Sequence, residues 1–87
     1  MTFSNIEAEQ QLLGCILINN DTHALVADLL GSDDFAEPLH GRIYDIAGAR
    51  IEKGHLASPV TMRLALENDP ALKELGGPAY LARMAGA

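Results

Sequence analysis

The chain has 87 residues, room for one domain and too few for two, and its 48% apolar to 21% charged composition is that of a globular chain. Twelve Asp and Glu against six Lys and Arg leave a net charge of −6, which disfavours a direct nucleic-acid surface because phosphate binding needs clustered positive charge. A single cysteine, apolar stretches of only a few residues and a start without signal-peptide regions lead us to expect a soluble, cytoplasmic domain with no disulfide framework and no membrane span.

Helical signals follow one another along almost the whole chain. Ser4, followed three residues later by Glu7, has the pattern of a capping box, and Leu12, Leu13, Ile16 and Leu17 form an amphipathic stripe; a first helix is expected at about 5–18. Asp21 is placed as the cap of a second helix carrying Leu25, Val26, Leu29 and Leu30, with Gly31 at its C′ position. Ser32-Asp33-Asp34 reads as a polar turn and Phe35 as the anchor that pins it to the core. Glu37-Pro38 opens a third helix with Leu39, Ile43, Ile46 and Ala47 on one face, widened by Tyr44 and Ile51 and stopped at Lys53-Gly54. Ser58-Pro59 opens a fourth, with Val60, Leu64 and Ala65, fading at Asn68. Asp69-Pro70 starts a short fifth with Leu72 and Leu75, ended by Gly76-Gly77, and Pro78 begins a sixth with Tyr80, Leu81 and Met84. Around Leu56 no helical pattern is evident. Six short helices on short loops predict an all-α fold, a compact bundle.

The residues that could carry chemistry have simpler assignments. No Gly-x-x-x-x-Gly-Lys-Ser/Thr occurs, and Gly76-Gly77, without a neighbouring Lys or Ser/Thr, is better read as a helix stop than as a phosphate loop. His23, His40 and His55 stand 17 and 15 residues apart, unlike the i, i+4 pairing of metal ligands; His40, one turn before Tyr44, is expected to be partly buried and hydrogen-bonded. Cys15, mid-helix among Leu12, Leu13 and Ile16, is assigned as a small buried hydrophobe rather than a nucleophile. Asp33-Asp34 and the pair Glu7 and Glu9 suit turn formation and the helix dipole better than acid–base catalysis. Arg42, Arg50, Lys53, Arg63, Lys73 and Arg83 are spread over four helices, a mixed solvated face rather than a DNA-reading stripe. The sequence therefore implies no catalytic, cofactor-binding or metal-binding residue.

The order of the short motifs is more specific than any one of them. Asn5-Ile6-Glu7-Ala8-Glu9-Gln10-Gln11-Leu12-Leu13-Gly14 closely resembles the opening of the N-terminal domain of the bacterial replicative DNA helicases, the DnaB family. Asp34-Phe35 with His40-x-x-Ile43-Tyr44, Lys53-Gly54 with Val60-Thr61, and Gly76-Gly77-Pro78-Ala79-Tyr80-Leu81 are similar to the successive blocks of that family at matching spacings, so the resemblance covers residues 5–85. Ala36 stands where the family has a tyrosine, and Leu56-Ala57-Ser58 where it commonly has Pro-x-Asp; Ser58 keeps the capping ability.

The resemblance implies a non-catalytic module over 1–87, lacking the helical hairpin, linker and ATPase domain that follow in the family. It implies self-association as dimers within a hexameric collar, docking of the C-terminal domain of primase, and contact with DNA only through the parent motor domain, where ATP and Mg would also bind. Glu7 and Glu9, at what is expected to be the exposed start of the first helix, and Tyr80 are the candidate partner contacts. The competing assignments put Glu7 in the capping box and Tyr80 in the core. A stand-alone helical adaptor of phage or plasmid type, acting on a host helicase or primase, is the alternative function.

Overall fold

The Asn5 side-chain oxygen accepts the Glu7 and Ala8 N–H groups, at 2.9 and 3.2 Å, and caps helix α1 (Ile6–Ile18). The computed structural model describes residues 5–86, so the Ser4 half of the expected capping box lies outside the described residues. After α1 come α2 (Asp21–Val26), a 3-10 turn at Ser32–Asp34, α3 (Pro38–Glu52), α4 (Pro59–Ala65), α5 (Pro70–Glu74) and α6 (Pro78–Met84). Among the described residues there is no strand. The radius of gyration, 11.6 Å, compares with about 12 Å for a globular domain of this length.

Four of the six helices start at a proline, where the missing N–H costs no helical bond. Glu37, Ser58 and Asp69 supply side-chain caps immediately before three of them. Gly54 and Gly77 take φ of 79° and 68°, a left-handed conformation that ends one segment and redirects the next. The all-α reading is thus met, and so are the expected helix starts at Pro38, Pro59, Pro70 and Pro78.

The core is built on α1 and α3, which pack on each other, with α6 against both α1 and α4. Leu13, Ile16 and Leu17 meet Leu39, Ile43, Tyr44 and Ala47, and Met62, Leu66, Leu72 and Leu81 close the far side. Phe35 is the expected anchor: its ring sits 5.0 Å from that of Tyr44, whose hydroxyl donates to the Leu30 carbonyl at 2.6 Å. Asn20 clamps the end of α1 to the segment before α4, donating to the Ile16 and Ala57 carbonyls and accepting the Ala57 N–H.

Four expectations are corrected. The second helix ends at Val26, short of the predicted Leu30, and Asp21, expected as its cap, is its first helical residue. The N-cap position is Asn20, which makes no side-chain cap bond, while the Asn19 side chain before it accepts the Asp21 N–H. Leu25 and Leu29 face outward, and of the four expected apolar residues Leu30 is the buried one. At α4 the inward residues are Met62 and the C-cap Leu66, one turn apart, which leaves the expected Val60, Leu64 and Ala65 exposed. Leu75, expected in the core, is exposed after α5. Cys15 is exposed, because it lies about 200° around the helix from both Leu13 and Leu17.

Gly14 permits the close approach of α6 to α1: a Cβ there would overlap the Met84 carbonyl oxygen. Gly14→Ala should therefore lower stability by about 2 kcal/mol in urea unfolding, although alanine raises intrinsic helicity by up to about 1 kcal/mol. Unchanged or increased stability would show that α6 does not rest on this glycine.

Candidate functional site

The first turn of α1 points a carboxylate into the protein. Glu9, expected at the exposed start of the helix, has 0% exposure. It shares the i, i+4, i+7 spacing of Leu13 and Ile16, so the periodicity that buries them buries it. Its Oε2 accepts the Ala36 N–H at 2.6 Å, and its Oε1 accepts the Glu37 N–H at 3.3 Å and faces His40 Nδ1 at 2.8 Å. Burial alone pushes a carboxyl pKa up, but the bonds from His40, Ala36 and Glu37 outweigh it and hold Glu9 below its ordinary value.

An ionised carboxylate has no proton to donate, so His40 Nδ1 is the donor in that contact. Its other ring nitrogen, Nε2, lies 2.6 Å from the Tyr80 hydroxyl, and Gln10 Nε2 donates to the same hydroxyl oxygen at 3.0 Å. The His40 and Tyr80 rings are nearly parallel, 6° apart in orientation with centroids 6.0 Å apart. This buried chain of carboxylate, imidazole and phenol joins α1, the head of α3 and α6. Among the described residues no buried side-chain nitrogen or oxygen lacks a partner.

On the outer side of Tyr80 runs a groove of about 420 Å³ between α1 and α6, lined by Glu7, Gln10, Gln11, Tyr80, Arg83 and Met84. The Arg83 guanidinium lies 5.8 Å from the centre of the Tyr80 ring and donates to the Leu75 carbonyl at 2.9 Å. Of the candidates singled out from sequence, Glu7 and Tyr80 therefore share one groove, with the Tyr80 ring itself buried. Glu9 does not reach the surface and acts behind it. His40 and Gln10, which tie the inner chain to the groove, stand outside the candidate contacts; the sequence signal for His40 is its spacing with Tyr44 and Ala47 on the buried face of α3.

The other histidines lie elsewhere. His23 is buried with its ring 5.7 Å from that of Tyr44, and His55 is exposed beyond α3. Among the described residues, no group of three or more His, Cys, Asp or Glu could hold a metal ion. No described helix is long and apolar enough to cross a membrane. A second acidic partner, Asp69, caps α5 and forms a paired contact with Arg42 at 2.7 and 3.1 Å. Arg42 holds its carboxyl below the usual range.

The class these features define is a small all-helical domain with a polar junction of three helices behind an open groove. The family model of the DnaB-like helicase N terminal domain matches residues 1–87, and the chain belongs to that family. It is 46% identical over 81 residues to the replicative DNA helicase DnaB of Rickettsia prowazekii, covering 93% of this chain and 17% of that protein. To the replicative DNA helicase DnaC of Bacillus subtilis it is 36% identical over 81 residues, covering 93% of this chain and 18% of that protein. The crystal structure of the N-terminal domain of DnaB helicase from Mycobacterium tuberculosis matches with a TM-score of 0.83 at 30% identity, over 98% of this chain and 59% of that one. The resemblance and the fold read from the sequence are thereby borne out. The chain spans less than a fifth of the length of these two helicases.

Because the folded-state pKa of Glu9 is depressed, its contribution to stability is present above the ordinary value of 4.5 and is lost as the pH falls below it. Glu9→Gln would place an amide NH2 against groups that are themselves donors. It should cost about 2–4 kcal/mol at neutral pH and make the acid arm of the stability curve shallower than in the wild type. Chemical denaturation at a series of pH values measures both, and parallel curves would contradict an ionised, buried Glu9.

Proposed function

We propose that this chain is the N-terminal, non-catalytic domain of a replicative ATP-dependent DNA helicase, and that it serves oligomerisation and primase docking. The observation that carries the reading is the groove between α1 and α6, which brings Glu7 and Tyr80 together at the surface. Both lie in the stretches that match the family, and the groove joins an exposed anion to the edge of a buried aromatic ring, a combination suited to protein contact. Outward-facing Leu25, Leu29, Val60 and Leu64 support self-association, as dimers within a hexameric collar. Unwinding, contact with DNA, and binding of ATP and Mg belong in this reading to a motor domain outside the 87 residues, in a cytoplasmic protein.

The C-terminal domain of the cognate primase should bind the wild-type domain, and Glu7→Ala should weaken that binding about tenfold or more. The melting temperature should hold, because Asn5 rather than the Glu7 side chain caps the helix. Calorimetric titration beside thermal unfolding measures both. Equal affinity of the two proteins would remove Glu7 from the docking surface.

A further inference from the structure

We propose that His40 is a positioning residue that sets the hydrogen-bond polarity of the groove between α1 and α6. With His40 neutral, Tyr80 presents an oxygen lone pair and selects a Lys or Arg side chain of the docking partner; with His40 charged, Tyr80 presents its O–H. The inference rests on the docking reading above and names the chemistry which that groove selects.

A phenol hydroxyl has one proton and two lone pairs. His40 Nδ1 donates to Glu9 Oε1 at 2.8 Å, so in the neutral ring Nε2 keeps its lone pair and accepts the Tyr80 proton across 2.6 Å. Gln10 Nε2 donates to the Tyr80 oxygen at 3.0 Å and takes one lone pair. The second lone pair is all that the hydroxyl can still offer. Adding a proton to His40 places a hydrogen on Nε2 as well. The imidazolium and the Gln10 amide then fill both lone pairs, and the phenolic proton has to turn away from His40. One proton is gained, on the imidazole, and the free capacity of the hydroxyl changes from one acceptor to one donor.

The groove around it favours a cation in the neutral state. Glu7 lines the same groove and is exposed, whereas Arg83 is engaged with the Tyr80 ring and the Leu75 carbonyl. The charged and titratable groups that surround His40 and the groove are Glu7 and Glu9 from α1, Glu37 at the head of α3, and Tyr80 and Arg83 from α6. A partner cation thus meets an anion and an acceptor together. Once His40 is charged it meets the phenolic O–H in place of the acceptor.

The test is an NMR titration of the domain from about pH 8 to about pH 5, with labelled histidine ring nitrogens and Tyr80 Cζ, and with backbone amides reporting the fold. Neutral His40 should carry its proton on Nδ1, and the Tyr80 Cζ resonance should shift with the same midpoint as the His40 ring. A proton on Nε2 at pH 8, a Tyr80 resonance that stays flat through the His40 transition, or unfolding before His40 titrates would each overturn the proposal. A parallel titration with the primase C-terminal domain should show binding about tenfold weaker once His40 is charged, and Tyr80→Phe should abolish that pH step. Equal wild-type affinity at both pH values would overturn the selection of a cation. No wild-type binding at either pH overturns the docking reading instead, and the His40 and Tyr80 resonances still decide the polarity of the hydroxyl.

Discussion

A carboxylate with no exposed surface, Glu9, is the constraint on which the rest of this domain depends. Removing an ionised carboxylate from water costs several kcal/mol even after relaxation, so its partners have to be in place when the helices close. Three donors meet it: the Ala36 and Glu37 N–H groups and His40 Nδ1. They fix the segment entering α3 against α1, and His40 carries the linkage on to α6 through Tyr80. That coupling matters because α2, α4, α5 and α6 have only five to seven residues each, too few to persist as isolated helices. Their order comes from the contacts they make, and for α6 those contacts are the Gly14 approach and the polar junction.

The inner junction and the outer groove share two residues, Gln10 and Tyr80. A surface built on side chains that are also locked inside is held in one geometry before any partner arrives, which lowers the ordering cost of association. Glu7, one turn from Gln10 at the start of α1, has freedom at its tip and adds charge to a surface whose shape is set by the junction. In such a division the buried groups decide what the groove can accept, and the exposed acid steers the encounter.

Local chemistry was legible in the sequence, and interior geometry much less so. Glu37-Pro38, Ser58-Pro59 and Asp69-Pro70 each place a cap before a proline, and all three begin a helix as read. Gly54 and Gly76-Gly77 stop segments for the backbone reason that glycine suits, a positive φ. Which side of a short helix turns inward is another matter. Along α4 and its C-cap, Val60 with Leu64 and Met62 with Leu66 are both apolar pairs one turn apart, and it is packing against α3 and α6 that chooses Met62 and Leu66. The same ambiguity put Leu25 and Leu29 in an expected core that they do not join. Glu9 was misplaced because a carboxylate in a first turn is ordinarily solvated, and its three donors come from residues 27 to 31 positions away. Glu7 and Tyr80 lie far apart in the sequence, in the first and last of the stretches that match the family, and the fold sets them on one groove.

Whether the buried Glu9 carboxylate organises the domain is read out by amide hydrogen exchange at Ala36. This residue is exposed and lies between the 3-10 turn and α3, outside the helical ladders, and its N–H donates to Glu9 Oε2. At neutral pH the Ala36 amide should exchange as slowly as core amides such as Ile43, through global unfolding. Exchange at the rate of an open loop would contradict it, because the carboxylate would then be releasing its donors without the domain coming apart.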